Sequence, residues 1–173
     1  MPAAKVAGLE KGEVIIMDQK HNVNDITSVG NFISLFYRNG VTNLSNEFAK
    51  YNIGYGQIQF LVKLYLQDGL KHDDLTKVVH VDKATTTRAI GKLSDNGYVD
   101  VKQDSEDKRI YRVYLTEKAM EIREEVLAIV TSWEDQLLGA LTEEESKTLF
   151  DLCNKVAIFN QWIEPSSKDN GLT

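Results

Sequence analysis

The sequence predicts a mainly α fold carrying one small β-hairpin, an α+β arrangement, and three observations lead there. The two prolines, Pro2 and Pro165, sit at the ends of the 173-residue chain, so no obligatory helix breaker lies between them. Apolar residues recur at about 3.6-residue spacing through most of that interval. Two short stretches, Tyr98 to Gln103 and Ile110 to Leu115, instead alternate with period two and are rich in β-branched and aromatic side chains. The length suits one domain, or one domain with a dimerisation extension. A hydrophobic share of 42% and a charged share of 27% exclude wholesale disorder and collagen-like repeats.

The first helix is expected from Asn24 to about Tyr51, because Ile26, Val29, Ile33, Phe36, Tyr37, Leu44 and Phe48 share one stripe; Gly40 is its weak point. A second helix follows Gly54-Tyr55-Gly56, with Ile58, Leu61, Val62, Tyr65 and Leu66 on one face, and Asp68-Gly69 closes it. His72-Asp73-Asp74 is placed to cap a short third helix carrying Leu75, Val78 and Val79. The fourth helix has the clearest limits, with Asp82 as N-cap and Asn96-Gly97 as a left-handed terminator. Projected at about 100° per residue, Thr86, Ala89, Ile90 and Leu93 fall on one face. Lys83, Ala84, Thr87, Arg88 and Gly91 fall on the other.

The two alternating stretches read as a hairpin, and the segment Asp104-Ser105-Glu106-Asp107-Lys108-Arg109 between them has no apolar side chain to anchor it. It should project into solvent. Thr116 opens a long helix expected to run through about Leu138, with Val126, Val130 and Trp133 among its apolar positions. Thr142, followed three residues later by Glu145, forms a capping-box pattern at the head of a last helix bearing Leu149, Leu152, Cys153, Val156, Phe159, Trp162 and Ile163. The tail from Ser166 to Gly171 should be disordered.

Helix, helix, short helix, capped helix and polar-tipped hairpin is the order of a winged helix-turn-helix. A helix about 10–12 Å across fits a major groove about 12 Å wide, provided its outward side chains are small or cationic. Ala84, Thr87, Arg88 and Gly91 satisfy that condition. Arg88 has the fork of donors that reads guanine, and Thr87 suits a phosphate or a thymine methyl.

These residues resemble a known family. Asp82-Lys83-Ala84-Thr85-Thr86-Thr87-Arg88, Leu93, Asn96-Gly97-Tyr98-Val99, Asp104 through Arg109, and Leu115-Thr116 together are similar to the MarR family of bacterial and archaeal transcription regulators. The wing signature of that family, Asp-x-Arg with Leu-Thr beyond a five-residue gap, is matched by Asp107-Lys108-Arg109 and Leu115-Thr116. The likeness covers roughly Asp25 to Trp162; Ala119 departs from it, standing where many members carry glycine. The resemblance implies that Arg109 reaches into the minor groove, that Asp107 pairs with a neighbouring arginine, and that Lys102 and Lys108 touch phosphates. The DNA-contacting set is then Lys83, Ala84, Thr85, Thr87, Arg88, Lys92, Lys102, Asp107, Lys108 and Arg109.

By the same resemblance the first and last helices interlock in a homodimer, which reads a pseudo-palindromic operator on double-stranded DNA. The division expected is an arm over 1–23, a dimerisation helix over 24–53, the DNA-binding region over 54–118, dimerisation helices over 119–163 and a tail over 164–173. Tyr37, Tyr51, Tyr65 and Trp133 are candidates for a cavity that takes a small aromatic effector, although core packing explains each of them equally well. An effector would act by biasing the separation of the two reading helices, most often releasing a repressor.

Charge is consistent with a local interface. The formal net charge is −6, yet Lys71 to Lys118 carries +1 between flanks that together carry −7. The longest aliphatic run, Val14 to Met17, is far short of the roughly 20 residues that cross a bilayer. The single Cys153 makes no internal disulfide, so the expected home is the cytoplasm. Set among Leu149, Leu152 and Val156, Cys153 reads as a buried small hydrophobe rather than a redox switch. His21, His72 and His80 lack metal-site spacings, no cofactor motif occurs, and no nucleophile-and-base frame suggests an enzyme. The alternative from another class is a winged-helix module that docks a protein through its hairpin and binds no DNA.

Overall fold

The structure, a computed structural model, describes residues 28–165. The chain divides into two compact units, one ending at Thr42 and one beginning at Asn43. The elements are α1 (Val29–Phe48), a 3-10 turn (Ala49–Tyr51), α2 (Tyr55–Leu66), β1 (Leu70–Lys71), α3 (His72–Val79), α4 (Lys83–Asp95), β2 (Val99–Gln103), β3 (Tyr111–Leu115), α5 (Glu117–Glu121), α6 (Arg123–Leu138) and α7 (Glu143–Phe159). In the first unit α1 exposes Val29, Phe32, Ile33, Phe36 and Tyr37. The expected helix start at Asn24, the run Val14 to Met17, His21 and the tail from Ser166 lie outside the described residues.

In the second unit the core is built on Phe48, Phe60, Leu61, Leu64, Leu75, Leu93, Val99, Val113 and Val126. The buried residues of α4 are Thr86, Ala89, Ile90 and Leu93, the face that the helical projection assigns. Thr86 remains satisfied inside the core: its hydroxyl donates to the Asp82 carbonyl at 3.2 Å and accepts from Thr76 at 2.9 Å. The helix ends as expected, with Gly97 at φ 75°, a left-handed value that glycine adopts without a Cβ penalty. The next two residues, Tyr98 and Val99, are buried, so the core that holds α4 also holds the first residue of the hairpin.

The hairpin is the outer part of a three-stranded antiparallel sheet in the order β1-β3-β2. Its register pairs Val101 with Val113 and Lys102 with Arg112, and β1 adds Leu70 opposite Val113. The two-residue β1 has no signal in the sequence, being too short for any periodicity. Gly69, at φ 71°, makes it possible, since a Cβ there would meet the Tyr114 ring at 2.8 Å. Asp68 secures the same corner by accepting from the backbone N–H groups of Gly69 and Leu115 at 2.9 and 2.8 Å.

Several expectations need correction. The first helix runs unbroken through the buried Gly40 but ends at Phe48, with a 3-10 turn in place of its expected last residues to Tyr51. The third helix is N-capped by Lys71 without any side-chain cap, so His72, Asp73 and Asp74 lie in its first turn instead. The single helix expected from Thr116 to Leu138 is two, α5 and α6, meeting at Ile122; no glycine or proline marks that break. The last helix keeps its capping box, with Thr142 and Glu145 bonded reciprocally, but stops at Phe159, short of Trp162 and Ile163. Cys153 is exposed, not buried: no residue of α7 is buried, so the stripe that was to cover it is itself uncovered.

The two faces of α4 predict opposite responses to truncation. Leu93→Ala should lower the unfolding free energy by about 2–5 kcal/mol, whereas Arg88→Ala on the outer face should stay within about 0.5 kcal/mol. Urea unfolding followed by circular dichroism measures both, and equal losses would contradict the assigned faces.

Candidate nucleic-acid interface

The outer face of α4 is organised from its N-cap. Asp82 accepts from the backbone N–H of Thr85 at 2.8 Å and from its hydroxyl at 2.6 Å. Those bonds, the hydroxyl's first, hold the Asp82 carboxyl below the usual carboxylate range. The Thr85 oxygen in turn accepts from the Arg88 guanidinium at 3.0 Å. Arg88 therefore lies back along the helix through one of its five N–H donors, and the row Lys83, Ala84, Thr87, Arg88 is exposed. Thr87 donates its hydroxyl to the Lys83 carbonyl at 2.9 Å, which leaves oxygen lone pairs outward. Lys83 pairs with Asp73 at 3.2 Å. Lys92, in the last turn, lines a shallow hollow with Asn52, Gly54 and Asn96, apart from the row at the N-terminal end.

The hairpin tip, or wing, is held by carboxylates rather than by apolar packing. Asp104 accepts from the backbone N–H groups of Glu106 and Asp107 at 2.9 and 3.1 Å. Arg112 reaches across to donate to Asp104 at 2.5 Å and to the Gly69 carbonyl at 3.0 Å. This set ties the start of the loop to the corner before β1. The Arg112 guanidinium, followed by the two N–H groups, holds the Asp104 carboxyl well below the usual carboxylate range.

Asp107, now oriented, grips Arg109 with both oxygens, at 3.0 Å to Nε and 2.9 Å to a terminal nitrogen. The neighbouring arginine that the resemblance implies for Asp107 is thus Arg109 itself. The Arg109 side chain is 90% exposed. Lys102 stays at the wing's root, paired with Asp100 at 3.3 Å and 5.6 Å from the centre of the Tyr114 ring. Lys108 is exposed beside Arg109.

The sequence reading missed the brace of Asp104 and Arg112, whose signal was an acid at the loop start and a cation inside the facing strand. It named His72 only as a cap and as a histidine without metal-site spacing, and missed its place beside α4. Its imidazole Nε2 lies 3.4 Å from the Thr87 oxygen, and with Lys71 it lines a cleft between α3, α4 and the wing.

The proposed effector residues do not share one hollow. Trp133 lines a pocket of about 330 Å³ with Asn43, Leu44, Glu47, Ile129 and Gln136. Tyr65 is buried in the core, its hydroxyl donating to the Ala119 carbonyl at 2.6 Å, and burial pushes its pKa up to about 12. Tyr51 donates to Glu125, which also pairs with Lys50, and neither tyrosine lines the Trp133 pocket. Tyr37, in the first unit, is exposed. Among the described residues no group of three His, Cys, Asp or Glu side chains is placed to hold a metal ion. No described helix is long and apolar enough to cross a membrane.

A recognition-type helix, an antiparallel wing and a polar loop presenting an arginine define a winged helix-turn-helix protein. Residues 53–111 match the model of the MarR family. The chain is 34% identical to a MarR transcriptional regulator from Methanosarcina mazei, with a TM-score of 0.66 over 77% of this chain and 94% of that one. It is 32% identical to an uncharacterized HTH-type transcriptional regulator of Bacillus cereus, over 69% of this chain and 81% of that one. A mutant MarR from E. coli, solved in complex with operator DNA, is 26% identical with a TM-score of 0.67, over 74% and 92% of the two chains. The chain belongs to the MarR family and is a MarR-type helix-turn-helix transcriptional regulator.

The depressed Asp104 pKa fixes a sign. Its interactions stabilise the native state at and above the ordinary carboxylate pKa of about 3.9 and are lost as pH falls through the depressed native value. Asp104→Asn should therefore lower the melting temperature at pH 7, with the deficit against the unsubstituted chain shrinking below about pH 4. Thermal unfolding across that range measures it; a deficit independent of pH would contradict the brace.

Proposed function

We propose that this regulator binds duplex operator DNA as a two-fold homodimer, with α4 in the major groove and Arg109 of the wing in the adjoining minor groove. The observation that carries this reading is the pairing of two exposed features held by one core. The outer row of α4 is small, hydroxylic and cationic, and Arg109 is 90% exposed while fixed by Asp107. A narrow minor groove concentrates negative potential, which an arginine on a projecting loop meets at little desolvation cost. Lys83, Thr85, Lys92, Lys102 and Lys108 serve as backbone contacts that set register without reading sequence. The MarR structure solved with operator DNA is a relative of this chain.

The homodimer is supported by uncovered apolar surface. Leu149, Phe150, Leu152, Val156 and Phe159 are exposed on α7, and α1 exposes its own apolar row; surfaces of that kind mark interfaces. A two-fold axis places the reading helices about 34 Å apart, one turn of duplex, and so calls for a pseudo-palindromic operator. The regulator works in the cytoplasm by binding alone, as a repressor released by a small effector. The Trp133 pocket, with indole and aliphatic walls and the polar Asn43 and Gln136, has the mixed lining of a ligand site.

Two substitutions separate the roles. Arg88→Ala should cost about 1–3 kcal/mol of discrimination at one base pair while leaving binding to random duplex nearly intact. Arg109→Ala should weaken both and make the slope of log affinity against log salt shallower by about 0.9 for each phosphate that the guanidinium neutralises. Gel retardation on the DNA flanking the coding region, at two salt concentrations, reads both. No saturable retardation by the unsubstituted protein would favour a protein-docking module.

A further inference from the structure

Adjoining grooves of a duplex are divided by one sugar-phosphate strand. If α4 occupies the major groove and Arg109 the minor groove beside it, that strand must cross the surface between them. In this structure that surface is a cleft of about 500 Å³ formed by the start of α3, the outer face of α4 and the wing. His72 is half-buried in it, its ring 3.4 Å from the Thr87 oxygen. We propose that this cleft seats one backbone phosphate of the dividing strand, with His72 as its donor and Lys71 beside it. The inference rests on the operator-binding reading above and adds to it a residue and a proton.

The charges around His72 favour an anion. Lys71 faces it from β1, and Lys77 with the carboxylates Asp73 and Asp74 from α3 itself. From α4 comes Lys83, and from the wing come Arg109 and the phenol of Tyr111. Of these, Lys83 is paired with Asp73, and Arg109 with Asp107 just outside the lining, which leaves Lys71 and Lys77 against the single carboxylate of Asp74. The Thr87 hydroxyl hydrogen goes to the Lys83 carbonyl, so the phosphate oxygen requires its donor from the imidazole or the lysines.

Burial, and then the Lys83 charge, lower the His72 pKa in the free protein against the opposing pull of Asp73. The ring is therefore mostly neutral near pH 7. A phosphate in the cleft favours the charged imidazolium and raises that pKa, so binding takes up a proton. Between the free and bound pKa values affinity falls as pH rises, by up to about tenfold per pH unit for one linked proton. Outside that window it is flat.

The test is duplex affinity of the full chain, by fluorescence anisotropy at fixed ionic strength from pH 5.5 to 8, on a random-sequence duplex and on the DNA flanking the coding region. The unsubstituted protein should bind both duplexes more tightly as pH falls. His72→Gln should lose that gain while matching the unsubstituted protein at pH 8, and His72→Arg, always charged, should bind tightly throughout. The same pH dependence in His72→Gln as in the unsubstituted protein would overturn the contact. So would a His72→Arg no tighter than His72→Gln. Absence of binding at every pH would instead remove the operator reading, and this contact with it.

Discussion

The arrangement depends on one constraint, the burial of a single face of α4. Thr86, Ala89, Ile90 and Leu93 are fixed in a core shared with Leu61, Leu75 and Val113, and everything outward on that helix follows from their position. Because only Gly97 separates Asn96 from the buried Tyr98 and Val99, the same packing sets where the wing begins. Tyr98 is pinned further by its hydroxyl, which donates to the Tyr51 carbonyl at 2.8 Å. Asn52 and Asn96 close the same seam with reciprocal bonds of 2.8 Å. The offset between helix and wing tip is thus a property of the core, and close-packed interiors resist gradual deformation.

An acidic chain that engages a polyanion must keep its carboxylates from facing the phosphates. Here four of the acids around the candidate interface are committed to structural partners. Asp82 caps α4, Asp73 holds Lys83, Asp104 binds the loop amides and Arg112, and Asp107 orients Arg109. Each such bond occupies a carboxylate, and that of Asp107 also holds an exposed cation, Arg109. The exposed pairs, Lys83 with Asp73 and Arg109 with Asp107, contribute little to stability; their value lies in holding rotamers before DNA arrives, which lessens the ordering cost of binding.

Helix order, both faces of α4, its two caps and the hairpin were legible in the sequence, because each rests on local chemistry: the Asp82 N-cap, the left-handed Gly97 and the period-two strands. The break at Ile122 was not, since no glycine or proline announces it. Neither was β1, whose existence depends on Gly69 beneath the Tyr114 ring, a contact between residues far apart in the chain. Cys153 was misjudged because an apolar stripe says which residues seek cover and not where the cover comes from. Of the candidate interface, the surface positions of Arg88, Asp107 and Arg109 were readable. His72 and Arg112 were not, because their partners are brought to them only by the fold.

The central claim is that α4 and the wing engage neighbouring grooves together, and twice. Chemical footprinting on the DNA flanking the coding region tests it most directly, with dimethyl sulfate probing guanine N7 in the major groove and hydroxyl radicals probing the minor-groove edge of the backbone. The account predicts major-groove protection bordered by minor-groove protection, repeated with two-fold symmetry about one helical turn away. Protection confined to one groove, or a single unrepeated half-site, would contradict it.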